Sequence, residues 1–405
     1  MFEGTPLVMI ETTEALEALV EQLRDAAVVG VDTESDSFHH YQEKVCLIQL
    51  SNLEQDFIVD PLKIDDMSSL GVIMADEGIV KILHGADYDV VCLRRDFGYS
   101  FANLFDTMIA AMFLGMPKIG LADLIDHFFG VYIDKKYQRY DWAKRPLLDE
   151  HLEYARGDTH WLAALRELLT RRLEKAGRMS AVAEECTILQ AREWAGRPNT
   201  EGAFLRMKGA RTMDVDTQRV LRALWEYRDE QAQKLDRPAF KVLPDHFLVG
   251  VAVRSPRTEA DLAGTARRGS PMVRRHGPAL VEAVHAGIAD QRPIPANPKP
   301  TRERAGRGGV GVDRFLGPLK AWRNEKVRKD GVAPIAVVSN NLLKEIARLA
   351  PQDLDGLAEV PGIRKWQLED LGDELLTVLG SVSQGTTGRR KRRRRRKSNG
   401  EAPSG

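Results

Sequence analysis

The sequence predicts a mixed-sheet α/β domain followed by two all-α domains. In the first 60 residues, three apolar strand-like segments follow one another, and strands alternate with helices after them. This order is typical of a mixed α/β sheet. The sequence that begins near residue 227 is repeated, with substitutions, 95 residues later. Both copies have apolar residues at helical spacing, with short breaks at Gly and Pro. We therefore expect one α/β domain and a duplicated helical domain.

The elements of the α/β domain are predicted from short apolar runs and from helical spacing. Strands are runs of apolar or β-branched residues, and helices have apolar residues three or four positions apart. The strands are predicted at 26–34, 45–51, 56–60, 79–84 and 103–105. The helices are predicted at 11–25, 85–93, 107–114 and from about 148 past 169.

The helical duplication has a constant offset of 95 residues. The segment Tyr227–Glu230 matches Trp322–Glu325, and Leu280 matches Leu375 at the same offset. The match has no gap over about 60 positions, which indicates a duplicated domain, because solenoid repeats have periods of about 20–50 residues.

These patterns divide the chain into six regions. The α/β domain is expected at 1–180, a helical connector at 181–210 and the first repeat at 211–290. A flexible linker rich in Pro, Gly and Arg is expected at 291–311, and the second repeat at 312–383. The basic tail, residues 384–405, is predicted to be disordered.

Composition limits the class of protein. The chain is 43% hydrophobic and 29% charged, which is ordinary for a soluble globular protein. No apolar run reaches the ~18 residues that span a bilayer, and the first residues lack a signal-peptide pattern. The three cysteines are far apart and indicate neither a disulfide framework nor a thiolate metal site. We expect a cytoplasmic protein without a membrane partner.

The net charge of zero conceals an asymmetry between the two halves. Residues 1–199 contain 20 Lys and Arg against 34 Asp and Glu, and residues 200–405 contain 39 against 25. An acidic half that binds a polyanion needs metal ions to do so, whereas a basic half can hold the polyanion directly.

The strand at 26–34 ends in two acids, Asp32 and Glu34, which one residue separates. Side chains alternate along a strand, so both carboxylates point the same way, about 7 Å apart. They repel each other unless a cation lies between them, and Mg²⁺ prefers carboxylate oxygens. For these two residues alone, an acidic loop at a strand end is an equally good interpretation.

Two further acidic clusters follow along the chain. Asp87 and Asp89 lie at a predicted strand-to-helix junction, where Asp87 suits a helix cap and Asp89, taken alone, is a surface acid. Tyr154 and Asp158 are four residues apart on a predicted helix and so share one face. Taken alone, this pair is a partly buried tyrosine beside a solvated aspartate.

Together, these four acids and the tyrosine resemble the DEDD exonuclease superfamily in its tyrosine subclass. The histidine subclass has His five residues before the last acid, and position 153 is Glu. The chain is similar to the ribonuclease D family in several segments, and its repeats are similar to HRDC domains. The segments are Val31–Glu34, Leu47–Leu50, Asp106–Ala111, Asp141–Leu147 and Tyr154–Asp158.

This resemblance implies an RNase H-like fold and a 3′–5′ exoribonuclease that releases 5′-mononucleotides from structured RNA 3′ ends, such as those of tRNA precursors. It implies two divalent ions, Mg²⁺ or Mn²⁺, and no small-molecule cofactor. Asp32 would contact both ions, Glu34 and Asp158 the ion that carries the attacking water, and Asp89 the ion near the leaving group. Tyr154 would orient that water.

The chain departs from the family just before the third acid. The family has Asn, Gly or a Ser-like residue where this chain has Asp87. Asp89 aligns with the family acid and is the predicted ligand.

Contacts with RNA are expected near the acids and in the tail. Aromatic side chains suit stacking on terminal bases, and basic ones suit phosphates, although core packing is the favoured role of Trp142. The candidates near the acids are Phe38, His84, Lys144 and Arg145. The expected RNA anchor in the tail is the run Arg389, Arg390, Lys391, Arg392, Arg393, Arg394, Arg395, Arg396 and Lys397.

Two other functions are compatible with the sequence. A DNA 3′–5′ exonuclease would use the same four acids, and the tandem repeats favour RNA over DNA. A non-catalytic nucleic-acid-binding scaffold would be free to lose any of the acids, so their intact set argues against it.

Overall fold

The centre of the molecule is a six-stranded mixed sheet. A computed structural model describes residues 4–194, 200–265, 270–295 and 309–398. The strands are β1 Leu7–Ile10, β2 Val28–Ser35, β3 Val45–Ser51, β4 Asp56–Val59, β5 Val80–Leu83 and β6 Leu104–Asp106. Their order is β1-β4-β3-β2-β5-β6. β3 is antiparallel to both β2 and β4, whereas β2–β5, β5–β6 and β1–β4 are parallel. The predicted mixed-sheet class is confirmed.

The sequence prediction missed β1 and two helices of the α/β domain. β1 is a four-residue edge strand, too short to show an alternating pattern. The helices are α1 Thr13–Leu23, α2 Leu70–Ala75, α3 Asp87–Phe97, α4 Thr107–Phe113, α5 Leu121–Phe129, α6 Asp149–His160, α7 Leu162–Lys175 and α8 Met179–Gln190. α2, with six residues, is likewise too short for a clear helical period, and α5 was also not predicted. Most of α8 lies in the predicted helical connector, 181–210.

The single long helix predicted from about 148 past 169 is wrong. The segment forms two helices, α6 and α7, that meet at Trp161. Near this break the backbone passes close to β2, because a Cβ on Gly30 would lie 3.0 Å from the carbonyl oxygen of Thr159. The glycine in β2 therefore allows the end of α6 to approach the centre of the sheet.

The rest of the described chain is helical. In the connector and first repeat the helices are α9 Thr200–Ala203, α10 Val215–Lys234, α11 Ala239–Val242, α12 Asp245–Arg254, α13 Glu259–Thr265 and α14 Pro271–Ala289. In the second repeat they are α15 Gly309–Asp330, α16 Asn340–Leu349, α17 Leu354–Ala358 and α18 Lys365–Ser398. Short 3₁₀ turns lie at Phe204–Arg206, Ala210–Thr212 and Pro334–Ala336. Most of the predicted linker at 291–311 lies outside the described residues.

The predicted duplication is visible in individual hydrogen bonds. The buried Arg228 donates from Nη1 to the carbonyl oxygen of Leu243 at 3.1 Å. At an offset of 95, Arg323 donates from Nη1 to the carbonyl oxygen of Val338 at 3.2 Å. Each guanidinium also bonds the side chain two positions beyond that carbonyl, which is an aspartate in the first repeat and an asparagine in the second.

The second repeat packs tightly on the α/β domain, and the two share one continuous apolar core. The Glu184 carboxylate of α8 accepts the backbone N–H groups of Lys365 and Trp366 at 2.8 and 2.9 Å, which satisfies the start of α18. The Trp366 ring lies edge-on to Phe113 of α4, with 5.3 Å between ring centroids.

The first repeat has its own core and contacts a different part of the α/β domain. Asp236 accepts hydrogen bonds from His40 Nδ1 at 2.7 Å and from the Tyr41 backbone N–H at 3.1 Å. The Tyr41 hydroxyl donates to Asp229 at 2.9 Å. These bonds attach the first repeat to the segment 36–44, which directly follows β2.

The C-terminal region differs from the predicted disordered tail, because α18 continues through the basic run to Ser398. Lys and Arg are good helix formers, and extension of an existing helix avoids the unfavourable nucleation step. The side chains beyond residue 382 and residues 399–405 lie outside the described part of the structure.

The described helices include none with the length and apolar character to cross a bilayer.

A comparison of two glycine substitutions tests the packing of the second repeat. Gly115 and Gly130 both follow helices with positive φ, +68° and +67°, so replacement by Ala imposes about 1–2 kcal/mol of backbone strain at each. A Cβ on Gly115 would also lie 1.6 Å from the carbonyl oxygen of Gly331, whereas nothing lies within 4 Å at Gly130. We expect Gly115→Ala to lose a further ~1–3 kcal/mol in urea unfolding. Equal losses in the two variants would contradict this contact.

Candidate active site

Asp32 and Glu34 lie near the end of β2, in the interior of the sheet. They are two residues apart in a regular strand, so their side chains share one face. That face is covered by α6, because Ser51, which pairs with Gly30 of β2, hydrogen-bonds Thr159 of α6 at 2.7 Å. The first two predicted acids are therefore enclosed between the sheet and α6.

Asp89 joins this pair from the first turn of α3. Its carboxylate accepts a hydrogen bond from Thr33 Oγ1 at 2.5 Å, and the residue is only 7% exposed. Thr33 lies between Asp32 and Glu34, so this bond connects α3 directly to the acidic strand end. The role of Thr33 was not predicted, since a lone threonine in a strand gives no sequence signal.

Asp87 lies two residues earlier and has a different environment. Its side chain is 60% exposed and pairs with Arg192 of the segment after α8 at 2.8 Å. The geometry therefore supports Asp89, and not Asp87, as the third acid of the site.

Tyr154 and Asp158 lie one turn apart on α6. The Tyr154 ring packs against Trp142 and Tyr137, with ring centroids 5.9 and 5.8 Å away. Trp142 is 1% exposed, so its favoured role in core packing agrees with the structure. A cavity of about 900 Å³ opens beside Tyr154 and Gly157, which gives a substrate access to the tyrosine.

An ion-pair network that the sequence analysis missed fixes α6 on the sheet. Asp56 of β4 is 1% exposed and accepts hydrogen bonds from Arg156 at 2.5 and 2.9 Å and from His160 Nδ1 at 2.9 Å. Burial raises the pKa of Asp56, but the bonds from His160, Ser51 and Arg156 outweigh it and lower the pKa. The partners are about 100 positions apart in sequence, so no local motif could reveal them.

The four acids have strongly perturbed acidities. Burial, followed by repulsion from the other carboxylates, raises the pKa of Asp32 and of Glu34 well above the usual range. Burial, followed by the charge of Asp89, raises the pKa of Asp158 to about 7. Burial raises the pKa of Asp89 to about 6, although the bond from Thr33 opposes the shift. Four ionised carboxylates are therefore unfavourable here without added positive charge.

The donor set suits divalent cations. None of the four acids forms an ion pair with a Lys, Arg or His of the described chain. In that same part of the chain, no three acidic, His or Cys side chains already surround one point as a preformed metal cage. The support for metal binding is therefore the uncompensated charge and the oxygen donors, which hard ions such as Mg²⁺ prefer.

The four other predicted substrate contacts have different outcomes. Phe38 is half-exposed, close to Arg139, and lies edge-on to Phe240 of the first repeat at 6.3 Å. Lys144 is exposed, with Asp141 3.8 Å from its amine. Both remain accessible to a ligand.

His84 and Arg145 are engaged inside the protein. His84 Nδ1 bonds the Thr107 hydroxyl at 2.9 Å, and burial lowers the pKa of His84, so it carries no charge for a phosphate near neutral pH. The prediction that Arg145 holds a phosphate is wrong. Its guanidinium forms a two-bond ion pair with the buried Asp60 at 2.6 and 2.7 Å and donates its other hydrogens to three backbone carbonyls.

Comparisons with known proteins agree with this architecture. The 3′–5′ exonuclease family matches residues 7–174, and the HRDC domain matches 217–284 and 313–379. Ribonuclease D of Gluconacetobacter diazotrophicus is 32% identical over 390 residues, which are 95% of each chain. An exosome complex component 10 homolog of Caenorhabditis elegans is 36% identical over 260 residues, which are 63% of this chain and 30% of that protein.

Two solved structures have the same fold. Escherichia coli RNase D, described as an exoribonuclease involved in structured RNA processing, is 27% identical with a TM-score of 0.68, over 92% of this chain and 98% of that one. The RRP6 catalytic core of Trypanosoma brucei is 32% identical with a TM-score of 0.60, over 71% of this chain and 81% of that one.

The sheet, the four clustered acids and the matched domains define a 3′–5′ exonuclease of the DEDD class, whose members use divalent metal ions. The chain belongs to the ribonuclease D family of 3′–5′ exoribonucleases. The predicted resemblance and the predicted class of enzyme are confirmed.

Substitution of the two neighbouring aspartates should separate their roles. We expect Asp89→Ala to abolish RNA cleavage, because it removes a buried carboxylate of the acidic cluster, with RNA binding nearly unchanged. Asp87→Ala should retain cleavage within a few-fold, because that side chain is exposed and paired with Arg192. Single-turnover assays of both variants measure this. An active Asp89→Ala together with an inactive Asp87→Ala would reverse the assignment.

The raised pKa of Asp158 predicts a pH-dependent stability of the metal-free protein. Its folded-state pKa of about 7 exceeds the unfolded value of about 3.9, so the folded state holds the proton more strongly. Stability should fall as pH rises from about 4 to about 7 and level off above. In EDTA, the Tm of Asp158→Asn should rise relative to wild type between pH 5 and pH 8. A constant difference between the two would contradict the shift.

Proposed function

We propose that this chain is a cytoplasmic, metal-dependent exoribonuclease that trims the 3′ ends of structured RNAs, such as tRNA precursors, with two divalent ions, Mg²⁺ or Mn²⁺. The observation that carries the proposal is the cluster of four partly or fully buried acids without cationic partners in the described chain, beside Tyr154 and an open cavity.

The four acids would divide the two ions between them. Asp32, at the centre, would contact both ions, Glu34 and Asp158 one of them, and Asp89 the other. When bound, two divalent ions activate a water and stabilise the leaving oxygen. The chain's own contribution is to hold four carboxylates rigidly: β2 carries two, the Thr33 bond fixes Asp89, and α6 presents Asp158.

Tyr154 would orient the attacking water and would not remove its proton as a phenolate. Burial, followed by the charges of Asp158, Glu34 and Asp32, raises the pKa of Tyr154 far above its ordinary value of about 10. The hydroxyl therefore stays protonated and acts through a hydrogen bond.

The reaction is hydrolysis of the last phosphodiester. The water oxygen forms a bond to phosphorus while the bond from phosphorus to the 3′ oxygen of the preceding nucleotide breaks. The proton of the water leaves to solvent, the 3′ oxygen gains a proton, and a 5′-mononucleotide is released. The shortened strand then has a new 3′ hydroxyl and can be cleaved again.

The helical repeats would hold the body of the RNA. The catalytic half is acidic and the C-terminal half is basic, and the first repeat is attached to the segment 36–44 next to the acidic strand end. RNA bound along the repeats would therefore reach the acids with its 3′ end. Escherichia coli RNase D, which acts in structured RNA processing, has the same fold.

An assay with matched substrates tests the proposal against its two alternatives. A tRNA precursor with a 3′ extension and a DNA strand of the same sequence are incubated with the protein in Mg²⁺, Mn²⁺ or EDTA. We expect stepwise shortening of the RNA, release of 5′-mononucleotides and complete loss of cleavage in EDTA. Faster cleavage of DNA would favour a DNA exonuclease, and binding without cleavage of either strand would favour a scaffold.

The role of Tyr154 can be measured with a single-atom change. Tyr154→Phe removes only the hydroxyl, so we expect kcat to fall by a factor on the order of 10²–10⁴, with RNA affinity unchanged. The ring still packs on Trp142, so folding should be preserved. An unchanged kcat in single-turnover assays would assign Tyr154 to packing alone.

The basic run at 389–397 should anchor RNA without sequence preference. Each phosphate neutralised on a single strand contributes about −0.7 to the slope of log K against log salt. If roughly half of the run engages at once, its deletion should flatten that slope by ~2–4 units for long RNAs and leave cleavage of short oligonucleotides unchanged. An identical slope with and without the run would assign the tail to another partner.

A further inference from the structure

A buried glutamine lies beside the acidic cluster. Gln49 of β3 pairs with Asp32 of β2 on one side and with Ile58 of β4 on the other. Residues directly opposite each other on antiparallel strands have side chains on the same face, with Cβ atoms about 4.5–5.5 Å apart. The side chains of Gln49 and Asp32 therefore start next to each other on the same face of the sheet.

The neighbours of Gln49 along β3 place it beneath the helix of the site. Ser51, two residues after it, bonds Thr159 of α6, and Leu47, two residues before it, packs in one cluster with Ala155 of α6. Gln49 thus lies under the stretch of α6 between 155 and 159, which contains Asp158.

The amide of Gln49 has no partner that explains its presence. The residue is 0% exposed, and in the described chain neither Nε2 nor Oε1 has a hydrogen bond. An unsatisfied buried amide costs about 1–3 kcal/mol relative to a bonded one. Two other buried glutamines are bonded: Gln218 and Gln367 each donate from Nε2 to a backbone carbonyl, at 3.0 and 2.9 Å. For folding alone, an apolar side chain at position 49 would serve better.

We infer that Gln49 is a positioning residue for the metal site, whose Nε2 donates a hydrogen bond to the Asp32 carboxylate when the divalent ions are bound. Asp32 is the acid predicted to contact both ions, so its orientation affects the whole site. Donors behind a metal ligand fix its direction, and their removal weakens metal binding and activity by about 10–100-fold. The inference rests on the proposed metal-dependent function.

The nearly isosteric change Gln49→Met distinguishes a positioning role from a structural one, because the two roles predict different effects on Tm and on Mn²⁺ affinity. Met fills a similar volume without polar atoms, so we expect the Tm in EDTA to stay equal or rise. Mn²⁺ affinity, measured by calorimetry on the protein without RNA, should fall by about 10-fold or more. With saturating RNA, kcat should fall by a similar factor, whereas KM for RNA should stay within about two-fold.

The same change at a bonded glutamine is the matched control. Gln367→Met removes the bond to the Val337 carbonyl and the bond that Gln367 accepts from the Arg364 backbone. It should lower the Tm and leave Mn²⁺ affinity and kcat unchanged. Asp32→Ala is the reference variant, in which a proposed metal ligand itself is lost. If the wild-type protein binds no Mn²⁺, the proposed metal-dependent function fails, and not only the role of Gln49.

Two results would overturn the inference while wild type binds Mn²⁺ and cleaves RNA. One is a Gln49→Met protein with wild-type Mn²⁺ affinity and kcat. The other is a loss of Tm in EDTA with metal affinity unchanged, which would make Gln49 a packing residue. If Gln49→Met fails to fold, Gln49→Asn keeps the amide but withdraws it by one methylene. It should bind Mn²⁺ more weakly than wild type, and equal affinity would again reject the role.

Discussion

Repulsion among four carboxylates that are withdrawn from water is the constraint on which the catalytic domain depends. Left alone, these groups would take up protons or move apart, because burial and mutual charge both disfavour their ionised forms. The fold opposes this separation with two rigid supports. The centre of the sheet holds Asp32 and Glu34, and the Asp56–Arg156 ion pair fixes α6, which carries Asp158. A divalent cation would relieve this repulsion, because carboxylate oxygens are the donors that small, hard cations prefer.

The same supports explain what could be predicted from sequence. Asp32 and Glu34 share a strand, and Tyr154 and Asp158 share a helix turn, so local periodicity was enough to place each pair on one face. Periodicity alone did not separate Asp87 from Asp89, because both lie in the first turn of α3. The resemblance to the family favoured Asp89, and the structure adds the physical difference: Asp89 is buried, whereas Asp87 is exposed and paired with Arg192. Residues whose partners are distant in sequence escaped prediction: Asp56 with Arg156, and Arg145 with Asp60.

The two helical repeats have similar internal bonds but unequal attachment. Arg228 and Arg323 make equivalent bonds to backbone carbonyls, which shows that each copy keeps the same internal support. The first repeat contacts the segment after β2 through a few polar groups and the edge-on pair Phe38–Phe240, whereas the second repeat buries Trp366 against Phe113. One copy is thus attached next to the strand that carries Asp32 and Glu34, and the other shares the apolar core of the domain that carries the site.

This unequal attachment limits how the architecture can change by loss of a domain. The apolar core of the second repeat is continuous with that of the catalytic domain, and the first repeat has a core of its own. A chain cut before residue 309 would expose apolar surface of the nuclease to water and so favour aggregation. Excision of the first repeat would break a few hydrogen bonds and the contacts of Phe38 and Tyr41, and would leave the shared core intact. The first repeat is therefore the separable module of this chain, whereas the second repeat is a structural part of the nuclease domain, whose apolar core includes residues of the last helix.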